Sequence, residues 1–288
     1  MRRNALSAVP HSVVEEGAPS RAHRVSFSIA ITWIGRFLDL RDRVLGWDHS
    51  GRRPLGVRER IARQAVISGA RVLDAVFVEP ASAPAAAAVL LCHGIGETVE
   101  QWFGVQQLLA AHCVASLVFD YSGYGRSTGR PDWERFEQDA IAAFAALKRL
   151  APGLPYSVLG FSLGSGVAAA TINRLGAHRL ILCEAFTSFR DAATARWIPK
   201  RMARLVPPIW HARRPLSKCR LPVLIVHGER DRVFPVQMAT ELAGYCSPKA
   251  EIVLVPDTTH NQPFRRPRVD YWGPIIEWLR NGPERAKL

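Results

Sequence analysis

From about residue 60 onward, short apolar runs alternate with longer stretches of helical periodicity. Ala65 to Gly69 and Val72 to Val78 alternate in polarity around Gly69-Ala70, which predicts two strands joined by a turn. Ala88 to Cys92 and Ser116 to Phe119 are continuously apolar, as expected of strands covered on both faces. Further strands are predicted at Tyr156 to Leu159, Leu180 to Cys183, Leu221 to Val226 and Glu251 to Val255. Helical segments fall between them, at Val99 to Ala111, Asp132 to Leu150, Val167 to Ile172, Val236 to Tyr245 and Tyr271 to Arg280. In the second of these, Phe136, Ile141, Phe144 and Leu147 make the apolar face. Strands alternating with helices predict an α/β fold: a mostly parallel sheet with helices on both faces.

Two regions break the alternation. Residues 1 to about 24 are polar and aperiodic, a predicted tail. From Phe27 to Val44, Ile31, Ile34, Leu38 and Val44 recur at near-helical spacing with Arg36, Arg41 and Arg43 between them. A helix over one edge of the domain is expected there, with a basic helix on a membrane surface as the alternative. The predicted organisation is therefore an N-terminal tail and helix over 1–50, then one domain over 51–288. Gly51 to Arg60 reads as a linker. Inside the domain, residues 186 to 220 are too rich in proline for one straight helix and read as a small lid insertion. Ile198, Met202 and Leu205 are expected to share a helical face there, with Pro199 in its first turn. Trp197 and Met202 are the candidate substrate-binding side chains of that segment.

Composition changes the picture little. The chain has 288 residues, 48% of them hydrophobic, enough for a sizeable core. Its net charge of +13 invites a nucleic-acid or acidic membrane partner. Arginine outnumbers lysine 33 to 5, however, and no nucleic-acid-binding signature accompanies the charge. No nucleic-acid partner is expected. The five cysteines are scattered, without a disulfide framework or a Cys-x-x-Cys clamp. No apolar run reaches the length of a membrane span, and the run Val25 to Ile34 lies too deep for a signal peptide. The expectation is a cytoplasmic protein, with peripheral membrane contact open through the basic lid or the N-terminal helix.

The chemistry concentrates where the strand at Tyr156 to Leu159 runs into Gly160-Phe161-Ser162-Leu163-Gly164. A serine in so sharp a strand-to-helix turn is lifted clear of the sheet. Glycines two residues to either side are needed where strand and helix pass too closely for a Cβ. Such a hydroxyl becomes a nucleophile when a histidine can take its proton and a carboxylate orients that histidine. In an open parallel sheet these groups belong at the carboxyl ends of strands. Asp231 follows the Leu221 strand, and His260 follows the last strand.

On this order of Ser, Asp and His, the chain resembles the α/β-hydrolase superfamily over roughly residues 60 to 285. Asp-Tyr-Ser-Gly-Tyr-Gly-Arg-Ser (120–127) and His-Gly-Glu-Arg-Asp-Arg-Val-Phe-Pro (227–235) look like the branch of monoacylglycerol-lipase-like and serine-aminopeptidase-like hydrolases. The resemblance implies Ser162 as nucleophile, Asp231 as orienting acid and His260 as base. It implies oxyanion donors in the backbone N–H groups of Leu163 and Ile95. Glu229 and Asp257 are the rival acids, the first two residues before the matched position and the second in one turn with His260. His93 and His227 each precede a glycine of a loop motif and read as structural. Ser165 and Cys92 read as packing residues, and His211 as a surface residue of the lid.

No metal is expected, since no His-x-x-x-His or cysteine pair is present. No cofactor is expected either, because Gly123-Tyr124-Gly125 lacks the Lys-Ser/Thr that a phosphate cradle needs. The expected activity is serine hydrolysis of a small-molecule carboxylic ester or thioester through an acyl-enzyme. The alternatives are a serine peptidase or amidase, and a catalytically silent binding protein of the same fold.

Overall fold

Eight strands form the middle layer in the order β1-β2-β4-β3-β5-β6-β7-β8. The computed structural model describes residues 23–24, 27–28, 31, 59–196 and 198–283. β1 (Glu59–Ser68) and β2 (Arg71–Pro80) pair antiparallel, and β2 pairs antiparallel with β4 (Val114–Phe119). β3 (Ala87–Cys92), β4, β5 (Tyr156–Phe161), β6 (Arg179–Cys183), β7 (Val223–Gly228) and β8 (Glu251–Val255) run parallel.

β3, β4, β5 and β7 are buried at every position because both faces are covered. Successive side chains therefore feed two separate cores. Ala88, Leu90 and Cys92 join the core beneath α2 (Trp133–Leu150), α3 (Leu163–Leu175) and α6 (Val236–Tyr245). Val89 and Leu91 join the core beneath α1 (Phe103–Ala111), α7 (Gln262–Arg265) and α8 (Val269–Asn281). α1 is entered through a 3-10 turn, Val99–Trp102, so the expected helix from Val99 is tightened at its start. There the Thr98 N–H donates to Gln101 Oε1 at 2.9 Å. α2 starts where the Asp132 side chain accepts the Glu134 N–H at 3.0 Å.

β1 begins at Glu59, well before the apolar alternation that predicts it. It is an edge strand with a solvated face. The ladder to β2 and cross-strand ion pairs carry its polar start: Arg60 to Glu79 at 2.8 Å, and Arg63 to Asp74. Charges along an edge also discourage pairing with another sheet.

The segment between β6 and β7 differs from its expected form. It contains α4 (Phe189–Arg196), a 3-10 turn (Lys200–Leu205) and α5 (Arg213–Lys218). Pro199 precedes the turn in an extended conformation, φ −55° and ψ 138°, and is not part of it. Met202 and Leu205 share a side at the three-residue spacing of a 3-10 turn. That side faces outward, with the two residues 41% and 57% exposed. An inward apolar face through Ile198, Met202 and Leu205 is thus not formed. Trp197 lies outside the described residues.

Near the N-terminus, His23, Arg24, Phe27, Ser28 and Ile31 are helical. Phe27 and Ile31 are buried. Phe27 stands with its ring centroid 5.4 Å from Trp133, 6.0 Å from Phe136, 5.2 Å from Phe189 and 5.7 Å from Trp210. It thus joins α2 to the segment between β6 and β7. Arg24 adds ion pairs to Asp132 (3.4 Å) and Glu134. Ile34, Leu38 and Val44 lie outside the described residues. Truncating a fully buried phenylalanine costs about 3–5 kcal/mol. Phe27→Ala is therefore expected to lower the urea midpoint by that equivalent, and a loss under about 1 kcal/mol would detach the segment from the core.

Candidate active site

The turn from β5 into α3 is set by backbone crowding. A Cβ on Gly160 would stand 2.4 Å from the Gly164 carbonyl oxygen, and one on Gly164 would stand 1.9 Å from the Cys92 carbonyl oxygen. Only glycine fits at either place. Between them Ser162 takes φ 50° and ψ −117°, a conformation that side chains other than glycine adopt at a cost. Backbone contacts hold it there. The Ser162 N–H donates to the Cys183 carbonyl at 3.0 Å, and Ser165 Oγ donates to the Ser162 carbonyl at 2.6 Å. Ser165 is thus a brace of the turn.

Three loops at the carboxyl ends of β5, β7 and β8 bring Ser162, Asp231 and His260 together. His260 Nε2 lies 2.9 Å from Ser162 Oγ, and His260 Nδ1 lies 2.7 Å from Asp231 Oδ2. The imidazole is walled by the rings of Phe161 and Phe234, at 5.5 and 5.1 Å. Asp231 Oδ1 accepts the N–H groups of Val233 (2.6 Å) and Phe234 (3.0 Å). Burial opposes its charge, but hydrogen bonds from His227 and His260 outweigh burial and hold the Asp231 carboxyl well below the ordinary range. The rival acids are elsewhere. Asp257 pairs with Arg230 at 2.5 Å on the surface, and Glu229 is exposed. His211 is exposed as well.

Leu163 opens α3, so its N–H lies in the helical turn that has no intrahelical acceptor. Ile95 sits in the loop after β3, half-buried. The clearance of Gly164 from the Cys92 and His93 carbonyls shows the head of α3 packed directly on that loop. Its shape comes from a residue that pattern reading passed over. Buried Glu97 accepts the Gly94 N–H at 2.7 Å and the Trp102 indole N–H at 2.8 Å through Oε2. Buried Cys92 is a core thiol, its pKa pushed up to about 12 by burial.

His227 packs under the site. Its Nε2 lies 3.0 Å from the Phe234 carbonyl and 3.4 Å from Asp231 Oδ2. Glu184, the residue after β6, is fully buried and accepts the Gly228 N–H at 2.9 Å. The signal for it was an acid directly at the end of a wholly apolar strand. Single ligand-type atoms of Glu184, Asp231 and His260 lie within 4.8 Å of one another. Within this group His260 Nδ1 and Asp231 Oδ2 already satisfy each other at 2.7 Å.

A family model described as serine aminopeptidase, S33, matches residues 83–216. An uncharacterized protein of Mycobacterium tuberculosis, Rv2307c, is 29% identical over 182 residues, 61% of this chain and 63% of that protein. Lysophosphatidylserine lipase ABHD12 of Macaca fascicularis is 29% identical over 198 residues, 61% of this chain and 49% of its own length. The chain therefore spans only about half to two-thirds of these relatives. Among solved structures, the Pyrococcus furiosus esterase Pf2001 superposes with a TM-score of 0.62 at 17% identity, covering 78% of this chain and 93% of that one. The chain has the α/β-hydrolase fold and is similar in sequence to members of that superfamily. No helix among the described residues is long and apolar enough to cross a membrane.

Beneath the β3 loop lies a buried pair, His93 and Asp120, with Nε2 and Oδ1 3.7 Å apart. Burial lowers His93 from 6.5 to about 4 and raises Asp120 from 3.8 to about 7. Between those values the folded chain binds a proton at Asp120 that the unfolded chain has lost. It leaves His93 neutral where the unfolded chain is charged. The first contribution makes stability fall with rising pH and the second makes it rise, so the two oppose each other. Asp120→Asn removes only the falling part and keeps an acceptor for the Val99 N–H, which Asp120 Oδ1 now takes at 2.9 Å. The stability difference, variant minus wild type, should therefore grow from pH 4 to pH 7 in urea titrations. A difference that stays flat would mean that folded Asp120 is already ionised at acid pH.

Proposed function

We propose that the protein is a serine hydrolase that cleaves a carboxylic ester through an acyl-enzyme intermediate. The observation that carries the reading is the 2.9 Å contact from Ser162 Oγ to His260 Nε2, continued at 2.7 Å to Asp231. In this reading Ser162 Oγ attacks the ester carbonyl carbon while His260 Nε2 takes the hydroxyl proton. The negative oxygen is met by the N–H groups of Leu163 and Ile95. Collapse expels the alcohol, which receives the proton from His260. Water then attacks the acyl-serine with His260 again as base, and the acid leaves. Asp231 keeps the Nδ1–H tautomer and balances the imidazolium. The similarity to a lysophosphatidylserine lipase and to an esterase supports an ester as substrate. Amide cleavage asks more of the same groups, because a poorer leaving group must be protonated.

A fluorophosphonate is expected to label Ser162, and Ser162→Ala to abolish labelling and lower ester turnover by about 10³-fold or more. Labelling that survives in the alanine variant would sink the assignment. Asp231→Asn should cost on the order of 10⁴-fold while the protein stays folded, and Asp257→Asn should cost little. The opposite ranking would move the acid to the turn after β8. A panel of esters, thioesters and amides with graded acyl length fixes the leaving group.

The outward side of the 3-10 turn favours one kind of ester. Met202 and Leu205 are exposed there between the exposed Arg201 and Arg204. An acyl chain attached to an anionic group suits that mixture. Reversing both charges (Arg201→Glu with Arg204→Glu) is expected to raise KM for an anionic acyl ester and spare a neutral one. Added salt should erase the difference, since such attraction is screened within ~8 Å at physiological ionic strength. Equal effects on both esters would remove the cations from recognition.

A further inference from the structure

Glu184 is a buried acid beside Asp231 that the proposed reaction leaves without a task. It follows β6 with φ 46°, a left-handed conformation that costs a glutamate, and it is fully buried. A buried acid held at such a cost needs neighbours that use it. Oε1 accepts the Gly228 N–H. Oε2 lies 3.7 Å from His227 Nε2, and no donor among the described residues satisfies it. On its other side stands the Asp231 carboxylate, itself an acceptor, within the 4.8 Å cluster.

Two carboxyl groups this close, away from water, do not both ionise. Their surroundings decide which keeps the proton. Asp231 receives two backbone N–H groups, His260 Nδ1 and His227, whereas Glu184 receives one backbone N–H and has only the Tyr271 hydroxyl nearby as a further donor. The charge therefore settles on Asp231 and the proton on Glu184. Protonation also turns Oε2 from a buried acceptor without a donor into a donor that faces an acceptor. Burial first, then the hydrogen bond and charge of Asp231, push the Glu184 carboxyl well above the usual range.

We infer that Glu184 is a positioning residue: it holds the proton shared by the two carboxyl groups and presents it to Asp231, fixing the carboxylate that orients His260. This rests on the proposed roles of Ser162, His260 and Asp231. The other groups bordering Glu184 are His227 from β7, Tyr271 from α8 and Cys183 from β6. No cation outside the histidines is among them, so no lysine or arginine competes for the Glu184 proton.

The test is the rate at which a fluorophosphonate labels Ser162 in the full chain, followed against pH in wild type, Glu184→Ala and Glu184→Gln, with Ser162→Ala as control. In Glu184→Ala, Asp231 loses a donor and holds the His260 imidazolium more tightly. With the carboxylate no longer fixed, His260 is aimed less well at Ser162, and labelling on the alkaline side of the limb should slow roughly 10- to 100-fold. The acid limb of the profile should also move to higher pH, which a purely structural loss would not cause. Glutamine is neutral and keeps a donor, so Glu184→Gln should be slowed only a few-fold and leave the acid limb in place.

An acid limb unmoved in Glu184→Ala would overturn the inference. So would a limb displaced downward by about half a pH unit or more in Glu184→Gln, because the wild-type group would then be an anion. If the alanine variant does not fold, the glutamine profile decides alone. Labelling retained in Ser162→Ala would instead overturn the reaction itself. Labelling lost in Ser162→Ala, beside a wild-type profile in Glu184→Ala, would remove only the role of Glu184.

Discussion

The close approach of β5, α3 and the end of β3 is the constraint on which the site depends. Gly160 and Gly164 let three backbones meet where a single methyl group would collide with a carbonyl. That contact does two things at once. It forces Ser162 into a strained turn at the head of α3, and it seats the loop bearing Ile95 against the same helix end. The serine hydroxyl and both proposed oxyanion donors are thus brought together by one packing event, with the buried Glu97 side chain shaping the loop that carries Ile95. The cost of the Ser162 backbone is offset by the buried strands on either side, which cannot move without opening both cores.

Around this contact the chain buries several acids, and each is accommodated differently. Glu97 is spent on two N–H donors and shapes a loop. Asp139 joins the β1–β2 hairpin to α2 and the loop after β4, accepting from Ser68 Oγ at 2.7 Å, Arg71 at 3.2 Å and the Ser122 N–H at 2.8 Å. Asp120 has backbone donors from Val99 and Arg126 but only a neutral histidine beside it, so burial still disfavours its charge. Asp231 gathers enough donors to stay charged in the same low-dielectric setting. The number and kind of donors, more than depth, separates a carboxylate from a carboxylic acid here.

A second dependency runs through aromatic packing. Phe27 fills a space between Trp133, Phe136, Phe189 and Trp210, so a residue far ahead of the first strand helps hold α2 against the segment between β6 and β7. On the other side of the same segment, Phe186 meets Phe234 at 5.5 Å, and Phe234 walls His260. Aromatic rings thus pack against the segment both on the side of Phe27 and on the side of His260.

Much of this was legible in the chain itself. Continuous apolar runs are enough to mark buried parallel strands, because both faces of such a strand must exclude water. A glycine spacing around serine is enough to mark the turn, because only a missing Cβ admits the crossing. The order of Ser162, Asp231 and His260 along the chain follows from the strands they succeed. Other features had no local signature. The polar start of β1 is a strand only because β2 pairs with it. Met202 and Leu205 face outward because Pro199, held extended, starts a new turn instead of extending a helix. Glu184 stands out in the sequence only as an acid after an apolar run, and what it holds is decided by Gly228, 44 residues away. Whether a buried acid is charged depends on donors brought from other strands, and only the folded arrangement supplies them.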